Sequence, residues 1–217
     1  MLAQTQESIT MPQHSTSTPH QASFLGKSPP RKPHNAAVRP REYLTEREVE
    51  RLMAAAATQG RHGHRDATMI FLAFRHGLRV SELIALRWDM LDLDAGMVHV
   101  TRLKQGLPAL HPLRGPEIRA LRRVKREAPA SPYVFVTERG SAMTASNFRK
   151  LLARAGKTAG FTFPVHPHML RHATGYKLAN DAQDTRAIQQ YLGHKNIQHT
   201  VRYTALNAKR FLGFWRD

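Results

Sequence analysis

The stretch that decides the fold runs from His166 to Tyr203 and reads HPHMLRHATGYKLANDAQDTRAIQQYLGHKNIQHTVRY. It collects polar side chains that an ordinary protein core would exclude. His168 and Arg171 lie three residues apart, about one helical turn, so both can face the same point. The apolar-periodic segment that ends at Leu192-Gly193-His194 is followed by Tyr203. A cation, two imidazoles and a phenol at one place suit an anionic electrophile such as a phosphodiester.

Composition narrows the class of protein. The chain has 33 Lys and Arg against 16 Asp and Glu, a net charge of +17 over 217 residues. A merely solvated surface explains so large an excess poorly, and a polyanion, most simply nucleic acid, is the better inference. The absence of cysteine excludes disulfides and thiolate zinc sites. No apolar run is long enough to span a bilayer and no signal peptide is evident, which predicts a cytoplasmic, nucleoid-associated protein.

The chain divides near residue 40. Residues 1–40 are rich in Ser, Thr, Gln, His and Pro and lack periodicity, which predicts a basic, largely disordered tail. Such a tail can lie along DNA or serve as a plain linker. Residues 41–217 are predicted to form one domain, which has apolar residues enough for a core. A capping box, Thr45 with Glu48, predicts the start of its first helix, and Leu44 and Val49 can form a hydrophobic staple around it.

The remaining patterns predict a mainly α protein with a small antiparallel sheet, an α+β arrangement. Met97–Leu103 is a predicted strand, and the chain turns at Lys104-Gln105-Gly106 into a return strand that ends near Leu113. Pro108 and Pro112 place that return strand at an edge. Further expected elements are helices from about Asp66 to Gly77, from Val80 to near Trp88, after Gly115-Pro116, after Thr144 and from Asp184 to Gly193, a short strand at Val134–Val136, and an apolar tail at Phe211–Trp215.

Basic residues are dense on the strand and helices between these segments, which suits a face against phosphates. The candidate DNA contacts are Arg102, Arg119, Arg122, Arg123, Arg149 and Lys150. Base-reading residues cannot be chosen among them, because phosphate contacts carry no sequence information.

A phenol is a weak nucleophile at neutral pH because it titrates near pH ~10. Tyr203 therefore needs charge stabilised around its target. Two guanidiniums can grip the non-bridging oxygens of a phosphate and neutralise charge in its pentacoordinate transition state. Arg171 is one candidate, and Arg79, at the start of a predicted helix, is the second. Glu82, a turn later, can orient Arg79 or its neighbours.

Proton transfer needs further groups. Lys104, at the tip of the predicted hairpin, can reach into a groove and protonate a leaving 5′ oxygen. His168 and His194 can add hydrogen bonds or proton transfer. Taken alone, each residue has an ordinary explanation: a surface salt bridge, a solvated turn, a packed tyrosine or a satisfied structural histidine. Their occurrence together in this order weakens those explanations.

Four segments together resemble the signature of the tyrosine recombinases, also called the phage integrase family. They are HGLRVSEL (His76–Leu83), HPHMLRH (His166–His172), YLGH (Tyr191–His194) and the downstream Tyr203. The resemblance covers roughly residues 43–215, and the combined motif is far more specific than its parts. It implies the catalytic-domain fold of that family.

The resemblance also implies a role for each matched residue. Arg79 and Glu82 match the first family arginine and the acidic residue after it, and Lys104 matches the hairpin lysine, in a loop that varies in the family. His168 with Arg171 matches the H-x-x-R pair. His194 matches the His/Trp position and Tyr203 the nucleophile, while His172 is expected to make structural hydrogen bonds.

The chain departs from most of the family upstream, where about 40 residues replace a separate DNA-clamping domain. It is similar in this to the fimbrial-switch recombinases, which invert a promoter segment in bacteria. The resemblance implies double-stranded DNA as partner, a 3′-phosphotyrosyl intermediate, no cofactor or metal, a homo-tetramer on two sites, and accessory DNA-bending proteins as further partners. The apolar tail is expected either to dock on a neighbouring protomer or to close its own core.

Three other classes compete with this interpretation. A DNA-binding regulator without catalysis would use the same charge, but it has no need of a nucleophile. A type IB topoisomerase shares the chemistry but relaxes supercoils without paired sites. A histidine metal hydrolase could use His168 and His172 at i, i+4, but the Glu of H-E-x-x-H is missing between them. The target sequence, and the choice between inversion, integration and excision, are not fixed by these residues.

Overall fold

The first helix begins where the capping box predicts. Helix α1 is Glu46–Ala57; the Thr45 side chain accepts from the backbone of Glu48, whose carboxylate accepts the Thr45 N–H at 2.8 Å. Leu44 and Val49 are each 1% exposed, as a hydrophobic staple requires. This computed structural model describes residues 41–102 and 108–205. Helices make up most of the described chain, as the sequence predicted.

The next two helices differ in length from the prediction. Helix α2, Gly63–Arg75, begins before the expected Asp66, which is buried and paired with Arg65 at 2.6 Å instead of capping the helix. Its last residue is Arg75, and Gly77, with a φ of +57°, lies at the predicted C′ position that follows the cap residue His76. Helix α3 is Val80–Ile84, shorter than expected, and a 3₁₀ turn at Trp88–Met90 follows. The reason is long-range, since the Trp88 N–H is bonded to the carbonyl of Pro132 at 3.0 Å.

The sheet has three antiparallel strands in the order β1-β2-β3. They are β1 Leu91–Asp92, β2 Met97–Val100 and β3 Ala109–Pro112, with Val98 opposite His111 in the β2–β3 register. The predicted hairpin and its edge strand are confirmed, although both strands are shorter than expected. Strand β1 was not predicted, because two residues are too few to show a periodicity. The expected hairpin tip with Lys104 lies outside the described residues.

Two helices flank a buried segment without a strand. Helix α4 is Gly115–Glu127 and helix α5 is Ala145–Thr158, each starting where the sequence predicted. The stripe predicted for α5 is buried throughout: Phe148, Leu151, Leu152 and Ala155. The strand predicted at Val134–Val136 is wrong: its side chains are at most 2% exposed, but the segment makes only an isolated bridge from Val136 to Ala142. Its apolar character reflects burial without a ladder.

The deciding stretch forms three helices. They are α6 Pro167–Asn180, α7 Thr185–Leu192 and α8 Gln198–Thr204. Asp184 caps α7 by accepting the Ala187 N–H at 2.8 Å, and Gly193 ends it with φ +63°, both as predicted. Met169, Leu170 and Ala173 of α6 belong to the main core. A second, smaller core lies between the three helices and consists of Ala179, Ile188, Leu192 and Tyr203.

Two predicted segments remain predictions. The disordered tail of residues 1–40 and the apolar tail at Phe211–Trp215 both lie outside the described residues. Across 41–102 and 108–205, none of the helices has the length and apolar character needed to cross a lipid bilayer.

Candidate active site

Glu82 fixes the side chain of Arg79 at the start of α3. The carboxylate accepts the Arg79 backbone N–H at 2.8 Å and its Nη1 at 2.7 Å. Burial raises the pKa of Glu82, but Arg102 and Arg79 outweigh it and hold the pKa below its usual value. The carboxylate therefore stays anionic at neutral pH. The Arg79 side chain is 22% exposed and that of Glu82 only 2%, so Arg79 is the member of the pair that faces outward.

Arg171 lies deeper, on the second turn of α6. It is 4% exposed, and its Nη1 and Nη2 donate to the carbonyl oxygens of Gly77 and Leu192. Burial, and then the charges of Arg79 and Arg102, lower the pKa of Arg171 to about 9, so it remains cationic at neutral pH. A guanidinium has five N–H donors. Arg171 can therefore hold both carbonyls and still offer N–H groups to a phosphate.

Tyr203, on α8, is packed against the same helix. It is 3% exposed, and its phenolic oxygen lies 2.8 Å from His172 Nδ1. The ring lies against Gly175 of α6, where a Cβ would come within 2.5–2.7 Å of three ring carbons. The absence of a side chain at Gly175 thus makes the room that the tyrosine ring occupies.

Electrostatics describe a resting nucleophile. Burial raises the pKa of Tyr203, against the lowering effect of Arg171 and Arg202. Burial, and then Arg202, lower the pKa of His172 to about 4. A neutral imidazole has one donor and one acceptor nitrogen, so the phenol O–H can donate to Nδ1. At neutral pH both groups are uncharged, and the tyrosine is stored protonated beside the guanidiniums.

His194 completes the cluster from the end of α7. Its Nδ1 lies 2.8 Å from Thr200 Oγ1, and its ring stacks on that of Tyr203 with centroids 6.2 Å apart. Burial, and then Arg171 and Arg79, lower the pKa of His194 to about 3. A neutral His194 can form hydrogen bonds to an anion without adding a charge. The structure therefore brings together Arg79, Glu82, Arg171, His194 and Tyr203.

Two other predicted site residues are placed differently, and a third lies outside the described residues. His168 is exposed on α6, and its ring centroid lies 6.3 Å from that of His172. Lys104 lies outside the described residues. Arg102 has a side chain that is 0% exposed and pairs with Glu82 at 2.8 Å. The prediction that Arg102 contacts DNA does not fit this position, because a guanidinium sealed from solvent cannot reach a backbone phosphate.

The other predicted DNA contacts are on the surface. Those of α4 and α5 are all exposed: Arg119, Arg122, Arg123, Arg149 and Lys150. Arg122 pairs with Asp94 at 3.1 Å and Arg123 with Glu127 at 2.6 Å. Exposed pairs of this kind contribute at most ~1 kcal/mol, so a phosphate can replace either carboxylate.

Two contributions to the site were missed by reasoning from sequence, although each had a signal. Gly175 interrupts a helical pattern, and a glycine inside a helix often marks a close approach of other atoms. Arg102 follows Val98 and Val100 with the period of two that puts alternate residues on one face of a strand. Since both valines are buried, the same alternation assigns Arg102 to the buried face.

A mainly helical fold that gathers two arginines, a histidine and a tyrosine defines the class of the tyrosine recombinases. The chain belongs to the phage integrase family, whose model matches residues 42–210. It is accordingly a site-specific recombinase, an enzyme that cuts and rejoins DNA strands.

Individual relatives are similar over most of the chain. The type 1 fimbriae regulatory protein FimE of Escherichia coli K12 is 46% identical over 181 residues, which span 81% of this chain and 91% of that protein. FimB of the same strain is 43% identical over 180 residues, 81% of this chain and 90% of that protein. The crystal structure of XerA recombinase superposes with a TM-score of 0.68 at 28% identity, covering 84% of this chain and 65% of that one.

Proposed function

We propose that Tyr203 is the nucleophile of a two-step strand transfer. Its phenolic oxygen attacks a backbone phosphorus while the phenol proton passes to His168 or to solvent, a 3′-phosphotyrosyl bond forms, and the bond to the 5′ oxygen breaks. The leaving oxygen takes a proton, for which Lys104 is the donor. A 5′-hydroxyl of the partner duplex then attacks the phosphotyrosine and releases the phenol. The bond energy is kept in the phosphotyrosine, so the reaction consumes no ATP.

The observation that carries this proposal is that Arg171 and His194 lie beside Tyr203, and that Arg79 lies near Arg171. The two cations are close enough that Arg79 lowers the pKa of Arg171. In this scheme they bind the non-bridging oxygens and stabilise the charge of the transition state. His194 contributes a hydrogen bond. His168, exposed at the start of α6, supplies a hydrogen bond or a proton from the DNA side.

Tyr203 must move before it reacts. At 3% exposure it cannot meet a DNA phosphate, and burial keeps its phenol protonated. We propose that DNA binding shifts α8 away from Gly175, breaks the bond to His172 and turns the phenol toward the arginines. In the absence of DNA, the burial of Tyr203 thereby prevents its phenol from attacking other molecules.

The biological outcome that we propose is inversion of a DNA segment, as in phase variation. The support is the similarity to two proteins named as type 1 fimbriae regulators over nearly their whole length. Inversion needs two sites, so four protomers would exchange strands in pairs on bacterial nucleoid DNA in the cytoplasm. Accessory DNA-bending proteins would help to bring the sites together.

The DNA face that we propose is the exposed basic surface of α4 and α5. Removing one phosphate contact lowers the slope of log K against log salt by about 1. Arg119→Gln and Arg149→Gln should each show this loss, uniformly across DNA sequences. Arg47→Gln is the matched control, since Arg47 is also exposed but belongs to α1 and not to either of these helices. An unchanged slope in both test variants would refute this placement.

Inversion can be tested once the target is known. DNA covalently trapped by the protein in cells would be mapped, and the two mapped sites cloned into a plasmid in inverted orientation. The expected product is an inverted segment detected by amplification across the junctions, with direct repeats giving excision at a lower yield. Relaxation of plasmids that lack both sites, without inversion, would favour topoisomerase-like action instead.

A further inference from the structure

A buried ionic bridge joins the two halves of the candidate active site. Its centre is Arg102, which follows strand β2 and has no exposed side-chain surface. Its Nη1 lies 2.8 Å from Glu82 Oε2, and its Nη2 donates to the carbonyl oxygen of Tyr191. Glu82 belongs to α3 and Tyr191 to α7, so one side chain connects the helices at either side of the site.

Both contacts lead directly to residues proposed to act on DNA. The Glu82 oxygen that Arg102 binds is the one that accepts the Arg79 backbone N–H, and the other oxygen binds Arg79 Nη1. Beyond Tyr191, the Leu192 carbonyl accepts a hydrogen bond from Arg171. A change in the position of Arg102 is therefore passed to both arginines through groups that they touch.

Packing around Gly193 keeps Arg102 in this place. A Cβ at Gly193 would lie 2.7 Å from Arg102 Nε and 2.9 Å from its Cδ, and the φ of +63° already disfavours any larger residue. The arginine side chain thus lies directly against the turn that precedes His194. This packing connects the turn before His194 to the α3 end of the site through Arg102.

Burial without two partners would be costly for a guanidinium. Taking one charge out of water costs several kcal/mol, which close ion pairing must offset. An arginine needed only for stability could be replaced by an apolar side chain of similar size. Arg102 lies between the Glu82 carboxylate, which binds Arg79, and the Tyr191 carbonyl. The next carbonyl, that of Leu192, accepts a hydrogen bond from Arg171, so the position of Arg102 points to a role in the geometry of the site.

We propose that Arg102 is a positioning residue of the strand-transfer reaction. It holds the Arg79–Glu82 pair in register with the end of α7, so that Arg79, Arg171 and His194 are arranged before DNA binds. It does not touch the DNA. This proposal rests on the proposed roles of these three residues and of Tyr203.

The test is single-turnover cleavage of a nicked suicide duplex by Arg102→Lys and Arg102→Met. Lysine keeps the charge but cannot reach both partners with a planar fork. Misplacement of catalytic groups by about 1 Å costs on the order of 100-fold in rate. We expect the rate of covalent-adduct formation at saturating DNA to fall at least about tenfold, with DNA affinity changed by less than about twofold.

Arg65→Lys is the matched control. Arg65 also binds one carboxylate, Asp66 at 2.6 Å, and one backbone carbonyl, Val136 at 2.7 Å, in a part of the domain remote from α7. A comparable fall in melting temperature with an unchanged cleavage rate is expected there. If Arg102→Lys and Arg65→Lys lower the rate equally, Arg102 is merely structural and the proposal is wrong.

Other outcomes are equally decisive. Weaker binding and a reduced salt slope in the Arg102 variants would mean a direct DNA contact, and wild-type rates in both variants would mean no role. If Arg102→Met does not fold, the folded Arg102→Lys variant still decides. Failure of the wild-type protein to form any adduct would instead refute the proposed function, not this inference alone.

Discussion

Gly175, which has no side chain, leaves the space in which the ring of Tyr203 lies. In α6, Gly175 faces the ring of Tyr203, and three ring carbons occupy the space that a Cβ would need. The same ring is bonded through its hydroxyl to His172, one turn earlier on the same helix. The same part of α6 thus carries three groups of the site. Arg171 is one of the two arginines, His172 is bonded to the phenol, and Gly175 leaves the space that the ring occupies.

Gly175→Ala should destabilise the protein, against the usual trend. Alanine in a helix interior normally gains about 1 kcal/mol over glycine. Here the added methyl group overpacks the ring of Tyr203 at a cost of about 3 kcal/mol, so we expect a net loss of about 2 kcal/mol in the free energy of unfolding, measured with urea. Adding Tyr203→Ala should abolish the loss caused by the methyl group in a double-mutant cycle. A Gly175→Ala protein as stable as wild type would contradict the described packing.

Among the elements of the fold, α8 is attached to the domain by contacts on its exposed side and on its buried side. Arg202 pairs with Glu42 and lies over the ring of Tyr203, with Cζ 5.8 Å from its centroid. Tyr176 packs edge-on to Tyr203 at 5.1 Å. On the inner side of α8, Thr200, Tyr203 and Thr204 are buried, so the Arg202–Glu42 pair is an exposed contact that can be changed without altering that packing.

Reversing the charge of Glu42 should loosen α8 selectively. Exposed ion pairs contribute about 0.2–1 kcal/mol, so Glu42→Arg should speed amide exchange in Gln198–Thr204 by up to about fivefold, measured by mass spectrometry. The double variant Glu42→Arg/Arg202→Glu should return toward the wild-type rate. Glu127→Arg, which breaks the pair with Arg123 on α4, should leave α8 unchanged. Equal exchange in all these variants would refute the role of this pair.

The elements that the sequence predicted well are those with local causes. The starts of α1 and α5 and the end of α7 depend on Thr45, Thr144 and Gly193, whose bonds and dihedrals lie within a few residues. Motif order also selected Arg171 and His194, which the structure places beside Tyr203. The early end of α3 and the lack of a strand at Val134–Val136 depend on partners far along the chain. The burial of Tyr203 was missed for the same reason, whereas the buried position of Arg102 had a local signal in its alternation with Val98 and Val100.

At the scale of the whole molecule, charge and burial oppose each other. A net charge of +17 favours association with DNA and also destabilises the folded chain by self-repulsion. The site adds to this cost, because it places Arg79, Arg102 and Arg171 near one another around a single carboxylate, Glu82. Binding of a phosphate supplies the missing negative charge. DNA should therefore stabilise the fold as well as serve as substrate.

Acid should destabilise the folded protein well above the range of carboxylate titration. Burial is the largest cause that lowers the pKa of His111 to about 3, His172 to about 4 and His194 to about 3, from 6.5. Below pH 6.5 the unfolded chain binds protons that the folded chain does not, so stability falls as pH falls. Each histidine contributes up to about 1.4 kcal/mol per pH unit. Urea unfolding between about pH 7 and 4 measures this dependence.

His111→Gln should reduce the slope of this pH dependence, since one of the three histidines with a lowered pKa is removed. The same substitution at the exposed His99, the third residue of β2, provides the control, His99→Gln. A stability that stays constant from about pH 7 to 5 would contradict the burial of these imidazoles.

The proposed reaction requires the phenol oxygen of Tyr203 to become bonded to a DNA phosphorus. The most direct measurement is peptide mapping by mass spectrometry after reaction with a nicked suicide duplex that carries the mapped site. We predict a nucleotide-bearing peptide with the modification on Tyr203, and a Tyr203→Phe protein that binds the duplex but gives no adduct. A modification on Tyr191 or Tyr176, or an adduct in the Tyr203→Phe protein, would contradict the account.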